Sequence, residues 1–409
     1  MIDEPSEEKD EQPRRKMGRG QNLLLILLIV AVMGAGVVYS LWDEIFPARP
    51  VPRVTPTVAP GPTIDARVAG LHLPARFHIS IFEDGLNMPR FMTFGPDGTL
   101  FVAERGTNSI IALLDPHHTG RATEKRVLIN DLDDPTNLVY YQGALYVGEQ
   151  MRISRFALGP NLRVMSRQVI IPNLPVGGLH TTRTVLIGPD GLLYVSIGSD
   201  CNVCYETDSK RASVWVYNLD GSDGHVYARG LRNAVGMAVN PWNNQVWVTN
   251  NGSDYEGYGN PTDMLYTLQA GNYGWPGCMD GNVIDANYGH PGDCKGVIPP
   301  LFKLQAHSAP LGLTFYNAAR FPSTYRGVFV ALHGSFYPDF PAGYKVIFIP
   351  LNAQGQINGP AQDFITGWLV NNNTGNATGR PVGITVGPDD ALYISDDKSG
   401  VIYRVTYAS

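Results

Sequence analysis

The phrase Gly-Pro-Asp occurs three times in this chain, each time between two apolar runs: at Gly95-Pro96-Asp97, Gly188-Pro189-Asp190 and Gly387-Pro388-Asp389. The flanking runs are 91–94 and 99–102, 184–187 and 192–195, and 383–386 and 391–394. A turn phrase between alternating runs predicts a β-hairpin. Degraded copies fill the gaps, joining 137–140 to 145–147, 236–239 to 246–248, and 312–315 to 328–330. About six hairpins thus recur at intervals of roughly 45–75 residues, the period of a β-propeller with one blade per repeat. A β-sandwich is the competing architecture, but sandwich strands are not usually phased to one recurring phrase. The predicted fold class is all-β: a six-bladed β-propeller, preceded by an N-terminal transmembrane helix.

With 409 residues and 44% hydrophobic content, the chain can fill one large core, and its 45 Gly and 31 Pro suit a turn-rich protein. The net charge of −6, with no dense basic stripe in the globular part, argues against a nucleic-acid partner. Residues 22–42 are uncharged, mostly apolar and long enough to span a bilayer as a helix. Arg14, Arg15, Lys16 and Arg19 precede them, and Asp43 and Glu44 follow. The positive-inside rule therefore predicts a cytoplasmic tail at 1–21, a membrane anchor at 22–42 and an outward remainder. A cleaved signal peptide is the alternative reading of the same run. Residues 43–72 carry Pro47, Pro50, Pro52, Pro56, Pro60 and Pro62 and read as a semi-rigid spacer, followed by the propeller at 73–409.

Four cysteines lie in the outward part. An oxidising compartment favours two local disulfides, Cys201 with Cys204 and Cys278 with Cys294. A zinc site and a redox C-x-x-C are the alternatives. The second spacing is wide for a zinc knuckle, and no βαβ unit surrounds the first pair.

Propeller chemistry usually sits at the mouth of the central channel. Four polar loops precede successive blade strands. In Gly177-Gly178-Leu179-His180-Thr181-Thr182-Arg183, the imidazole is the natural group to take a proton from an alcohol. A base of that kind titrates near neutrality unless its site shifts it, so activity is expected to rise with pH through roughly 6–8. In Arg229-Gly230-Leu231-Arg232-Asn233, Arg and Asn offer donors to a carbonyl or carboxylate. Asn250-Asn251-Gly252-Ser253-Asp254, with Asp263 and Gly271-Asn272-Tyr273-Gly274-Trp275-Pro276 beyond it, clusters oxygens of the kind Ca²⁺ prefers. Gly379-Arg380-Pro381 opens the last blade. Each loop also has a plain structural reading, as a turn or a buried donor. Their common position at blade starts is what groups them.

Several of these segments resemble the sorbosone and aldose dehydrogenase family, relatives of the soluble quinoprotein glucose dehydrogenases. The resemblance is carried by 180–191, Ser199-Asp200-Cys201-Asn202-Val203-Cys204, Gly230-Leu231-Arg232-Asn233, Gly271-Asn272-Tyr273-Gly274-Trp275-Pro276 and 380–404, and runs from about Leu73 to Tyr407. It implies a six-bladed propeller that holds pyrroloquinoline quinone (PQQ) over its channel with Ca²⁺ and oxidises sugars, passing electrons to an acceptor of the membrane or periplasm. It implies His180 as the base that takes the sugar hydroxyl proton while hydride passes to a quinone carbonyl carbon, and Arg232 as the group that polarises the quinone. Asn233, Arg183, Arg380 and His333 are implied as cofactor-binding residues. Gly252 and Ser253 match the Ca²⁺ that bridges to PQQ, and Asp263 and Tyr273 match a second Ca²⁺ site. The chain departs from the glucose enzymes in placing Leu332-His333-Gly334 where they carry a Lys, in having Thr378 near the place of a second Arg, and in a longer loop from Gly252 to Asp263. Two other classes fit such a propeller: a Ca²⁺-dependent lactonase-type hydrolase, for which no set of carboxylates is evident, and a non-catalytic domain that binds a protein or glycan.

Overall fold

The structure is a computed structural model, and it describes residues 65–254, 257, 259–336 and 340–408. The expected cytoplasmic tail, the span at 22–42 and most of the Pro-rich spacer lie outside the described residues. Among the described residues, no helix is long and apolar enough to cross a membrane.

The described residues form six antiparallel blades, as the repeat predicts. Blade 1 runs through Pro89–Phe94, Leu100–Glu104, Ser109–Leu114 and Glu124–Ile129, and blade 2 through Asn137–Tyr141, Ala144–Gly148, Ile153–Leu158 and Val164–Ile171. Blade 3 uses Arg183–Ile187, Leu193–Ile197, Ser213–Tyr217 and His225–Arg229; blade 4 uses Ala234–Val239, Val246–Asn250, Asp263–Thr267 and Phe302–Leu304. Blade 5 uses Pro310–Tyr316, Gly327–Leu332, Lys345–Pro350 and Gln362–Ile365. Blade 6 uses Pro381–Val386, Leu392–Asp396 and Val401–Tyr407, and its outer strand is Phe77–Glu83, from the other end of the domain. That pairing of first and last strands closes the ring, so no blade edge is left where the circle meets. Residues 65–72, read from the sequence as spacer, pack onto the domain: Val68 and Leu71 are buried beside Phe364 and Trp368, and His72 bridges to Thr366.

The Gly-Pro-Asp phrase has a local cause. In each copy the Asp carboxylate accepts the amide two residues on, Thr99, Leu192 or Ala391, at 3.1–3.2 Å. This is an Asx-type turn. The Gly lies under the aromatic ring of the next strand. A Cβ there would meet Phe101 at 2.8 Å, Tyr194 at 2.4 Å or Tyr393 at 2.4 Å. The fourth turn residue needs a left-handed backbone, supplied by Gly98 (φ 81°), Gly191 (φ 79°) and, in the third copy, Asp390 (φ 60°). Asp tolerates that region where most side chains do not.

Six hydrophobic clusters fill the wedges between neighbouring blades, one wedge each. Hydroxyls lock the blades further. Thr249 donates to the Leu311 carbonyl at 2.9 Å and accepts the Gly236 amide at 2.8 Å; Ser395 and Ser196 donate to the carbonyls of Arg90 and Ala234. Thr249 is fully buried, so Thr249→Val keeps its shape and strands a buried amide and a carbonyl. Chemical denaturation should show a loss of about 1–3 kcal/mol. An unchanged midpoint would show that the Thr249 hydroxyl contributes nothing.

Both disulfides are local. Cys201–Cys204 spans 6.1 Å between Cα atoms and Cys278–Cys294 spans 5.2 Å. The first closes part of the loop after the second strand of blade 3. The second ties an excursion from blade 4, in which Gly271–Asn272 adds in parallel to the outer strand of blade 3.

Candidate functional site at the channel mouth

Every hairpin turn carrying the Gly-Pro-Asp phrase lies at one end of the ring. The loops that enter the innermost strands and leave the second strands lie at the other end. Two groups of polar contacts lie there, one joining blade 6 to blades 5 and 1 and one running from blade 1 through blades 2 and 3 to blade 4.

At the centre of the second group is His180, half-buried before the first strand of blade 3. Its Nδ1 lies 3.0 Å from the Ser199 carbonyl and 2.8 Å from the Ser199 hydroxyl. A carbonyl only accepts, and the Ser199 hydroxyl already donates to the Cys201 carbonyl at 2.7 Å. Nδ1 therefore carries the proton, and Nε2 keeps its lone pair as a base. Gly198 makes this approach possible, since a Cβ there would meet His180 Cβ and Asn233 Oδ1, each at 2.6 Å. Burial, reinforced by the positive charge of Arg232, lowers the imidazole pKa to about 3. The expectation of activity rising through pH 6–8 is thereby corrected: the imidazole is already neutral there.

Arg232 is buried next to it. Its Nε donates to the Asn202 carbonyl at 2.8 Å, and its Nη2 donates to Asn202 Oδ1 at 2.8 Å and to Asp254 Oδ2 at 3.1 Å. The neighbouring Asn233 is held through its amide, which donates to Asn250 Oδ1 at 3.0 Å.

On the far side of the mouth, Arg380 donates from Nε to the His333 carbonyl at 3.1 Å and from Nη2 to the carbonyls of Gly334 and, at 3.2 Å, Ser335. His333 Nε2 meets Asp397 at 2.9 Å, and Asp397 accepts Arg90 Nη1 at 2.5 Å. Burial lowers His333 to about pKa 4 against the pull of Asp397. Burial alone would raise Asp397, but its pairing with His333 and Arg90 holds it well below the usual carboxylate range. The dyad therefore reads as ionised Asp397 accepting from neutral His333. Arg105, after the second strand of blade 1, pairs with Asp134 and donates to Thr181 Oγ1 at 3.3 Å, next to His180 in sequence. Arg90 and Arg105 were not singled out in the sequence. Ser199, Asn202 and Asp397 lay only in segments that carried the family resemblance, and Asp254 only in the loop read as a cluster of oxygens for Ca²⁺.

Two protonation-linked groups share one sign. Unfolded His180 and His333 bind protons near the ordinary 6.5, whereas the native side chains resist protonation down to about 3 and 4. Between those limits the unfolded chain binds more protons, so stability is full above about pH 6.5 and falls as the pH drops. Thermal melts of the cofactor-free protein from pH 7 to pH 4 should show a steady fall that His180→Ala and His333→Ala each reduce. A flat profile would contradict it.

Three assignments from the sequence change. Arg183 is fully buried, and its guanidinium donates to the carbonyls of His180 at 3.1 Å, Thr182 at 3.0 Å and Pro175. It holds the His180 loop from beneath rather than reaching a ligand. Asp263 is surrounded by donors: the Gly252 amide at 2.8 Å, the Ser308 hydroxyl at 3.0 Å and the Ala309 amide at 2.9 Å. A carboxylate so used ties blade 4 to blade 5, and its partners are the wrong ones for a cation. The Tyr273 hydroxyl fastens a turn, accepting the Gln269 amide at 2.7 Å and bonding carbonyls of Thr267 and Gln269, with its ring against Tyr266. A second cation at Asp263 and Tyr273 is not supported.

The Gly252–Ser253 loop fits a cation better. Asn251 Oδ1 is buried there with no hydrogen-bond partner, and the Asp254 carboxylate, three residues further on in the same loop, offsets Arg232. An unmatched buried oxygen is of the kind a hard cation takes. For an anionic, planar quinone, the mouth offers Arg380, and Arg232 adds a buried positive charge whose guanidinium is engaged by Asn202, Asn251 and Asp254. Among the described residues, the Arg380 Nη1 makes no bond. The bonded sulfurs of Cys201 and Cys204, beside Glu206, form a disulfide and not a metal site.

A six-bladed propeller with a neutral imidazole and guanidinium groups gathered at one channel mouth is the class of protein these features define. A model of the TrAA12-like family matches residues 71–408, and the chain belongs to that family. The pyrroloquinoline quinone-dependent pyranose dehydrogenase of Coprinopsis cinerea is 26% identical over 88% of this chain. The match covers 56% of that protein, so the chain spans little more than half of its length. The holo PQQ domain of a Coprinopsis cinerea pyranose dehydrogenase superposes with a TM-score of 0.71 at 24% identity, over 82% of this chain and 97% of that domain. A calcium structure of a Trichoderma reesei family AA12 enzyme gives 0.72 at 22% identity, over 83% and 97%. At those identities the two structures carry the fold. Together with the family match and the sequence relatives, they bear out the resemblance to sugar dehydrogenases.

Proposed function

We propose that this protein is a membrane-anchored oxidoreductase that oxidises a hydroxyl of an aldose or related sugar, with PQQ as hydride acceptor and Ca²⁺ beside it. The carrying observation is His180, whose Nδ1–H is committed to Ser199, so that Nε2 is left as an uncharged base beside buried Arg232. A relative that is PQQ-dependent and a holo PQQ domain of the same fold support the choice of cofactor. When bound, PQQ supplies an electrophilic quinone carbonyl carbon that accepts hydride. The chain's part is to bind and to move a proton: His180 Nε2 takes the hydroxyl proton, and Arg232 stabilises negative charge beside it. Arg380 and Asn233 orient the ligand. The Arg90–Asp397 pair holds His333 in one tautomer, with Nε2 protonated. Asn251 Oδ1, Asp254 and the Gly252 and Ser253 carbonyls would hold the cation.

On this reading, residues 22–42 anchor the protein with its tail in the cytoplasm. The Pro-rich spacer lifts the catalytic domain outside, and electrons leave to an acceptor of the membrane or periplasm. The test is a titration of the purified protein with PQQ and CaCl₂, following the quinone absorbance and then adding aldoses. Saturable binding followed by sugar-dependent bleaching is the expected result. An unbound quinone would overturn the proposal in favour of a propeller that binds a protein or glycan.

A further inference from the structure

We infer that the stapled tetrapeptide Cys201-Asn202-Val203-Cys204 positions both His180 and Arg232, with Asn202 as the positioning residue for the arginine. The loop from 198 to 212 contains no strand and no helix, so regular backbone hydrogen bonding does not hold it in place. It nevertheless carries the partners of both groups. The disulfide closes a ring around Asn202 and Val203 and limits what those two residues can do.

Asn202 is saturated on the Arg232 side. Its carbonyl and its Oδ1 accept two of the guanidinium's bonds, both at 2.8 Å. The same Oδ1 accepts the Asp254 amide at 2.8 Å, and Nδ2 donates to the Asp254 carbonyl at 2.8 Å. One side chain therefore fixes the arginine and the loop that bears its counter-charge. On the His180 side, the Cys201 carbonyl takes the Ser199 hydroxyl proton at 2.7 Å. With that proton committed, the Ser199 oxygen can only accept from Nδ1–H. If the carbonyl moved away, the hydroxyl could donate to Nδ1 and compete with the Ser199 carbonyl, which accepts from Nδ1–H at 3.0 Å, so the population would shift toward the tautomer protonated at Nε2. The Ser199 amide also donates to the Arg232 carbonyl at 2.7 Å, tying the two halves together. The inference about geometry stands without a cofactor; its consequence for catalysis rests on the proposed function.

The test uses the full chain, free of cofactor, with ¹⁵N-labelled histidine, and the His180 signal is assigned by its loss in His180→Ala. The unmodified protein should show Nδ1 protonated and Nε2 bare. C201S/C204S should shift that signal toward the Nε2-protonated form and weaken PQQ binding about tenfold or more, the scale of one lost charged hydrogen bond. Asn202→Ala should weaken PQQ binding to a similar extent and leave the tautomer as it was, because Ser199 and Cys201 remain. C278S/C294S should move neither reading. An unchanged tautomer and unchanged PQQ affinity in a folded C201S/C204S protein would overturn the inference. If that variant does not fold, undiminished PQQ affinity in Asn202→Ala would overturn it instead. Failure of the unmodified chain to bind PQQ would sink the functional reading alone, and the tautomer measurement would still decide the positioning role.

Discussion

His180→Ala should cut turnover by about 10²–10⁴-fold, the usual worth of a positioned general base, and leave PQQ affinity nearly intact. The split follows from the contacts. His180 is held by Ser199, and its loss removes none of the bonds that seat Arg232 or Arg380. The measurement is kcat with a saturating sugar, alongside a quinone-absorbance titration of the same preparation. Turnover equal to the unmodified protein would show that another group takes the proton. A collapse of PQQ binding would show that His180 is a ligand rather than a base.

Arg232→Ala should damage both readings. Arg232 is buried, and its charge stands next to the base and beside the Asp254 carboxylate. Removing it takes away a cationic partner for an anionic cofactor, worth about 1.5–3 kcal/mol for one charged hydrogen bond, so PQQ affinity should fall roughly tenfold to a hundredfold. Turnover should fall further, because the guanidinium no longer meets developing negative charge. Losing the Arg232 charge also removes one of the influences that lower the His180 pKa, so the imidazole should titrate at higher pH than in the unmodified protein. Arg232→Lys should recover only part of either loss, since an ammonium cannot reach the Asn202 carbonyl, Asn202 Oδ1 and Asp254 as a planar fork does. Normal PQQ affinity in Arg232→Ala would remove this residue from the site.

The departures from the glucose enzymes take on physical meaning at His333. Its Nε2 is occupied by Asp397, itself neutralised by Arg90, and its carbonyl receives Arg380. Where a Lys would offer a mobile charge, this chain therefore has a neutral imidazole in a fixed orientation. The positive charge on that side is left to Arg380, because Arg90 is paired with Asp397. Arg90 lies in the first strand of blade 1 and Asp397 follows the second strand of blade 6, far apart in sequence. No spacing argument brings them together; the closure of the ring does.

The blades were legible because their causes are local. Alternation over four to six residues, an Asp that accepts the amide two positions on, and a Gly under the next aromatic ring all operate within one hairpin. The loops bearing His180, Arg232 and Arg380 were legible for the same reason, since each opens an innermost strand. What those side chains do there was decided by tertiary structure. Arg183 has the composition of a cofactor ligand, but burial turns it inward onto three carbonyls. Asp263 has the composition of a metal ligand, yet the approach of blade 5 surrounds it with N–H and O–H donors. His180 would titrate near neutrality as an isolated residue, and desolvation beside Arg232 makes it a base that stays uncharged. Hairpins follow from interactions among neighbours in sequence. Protonation state, tautomer and the choice of partner depend on burial and on which distant loops the closed ring brings within hydrogen-bonding reach, and these exist only once all six blades are in place.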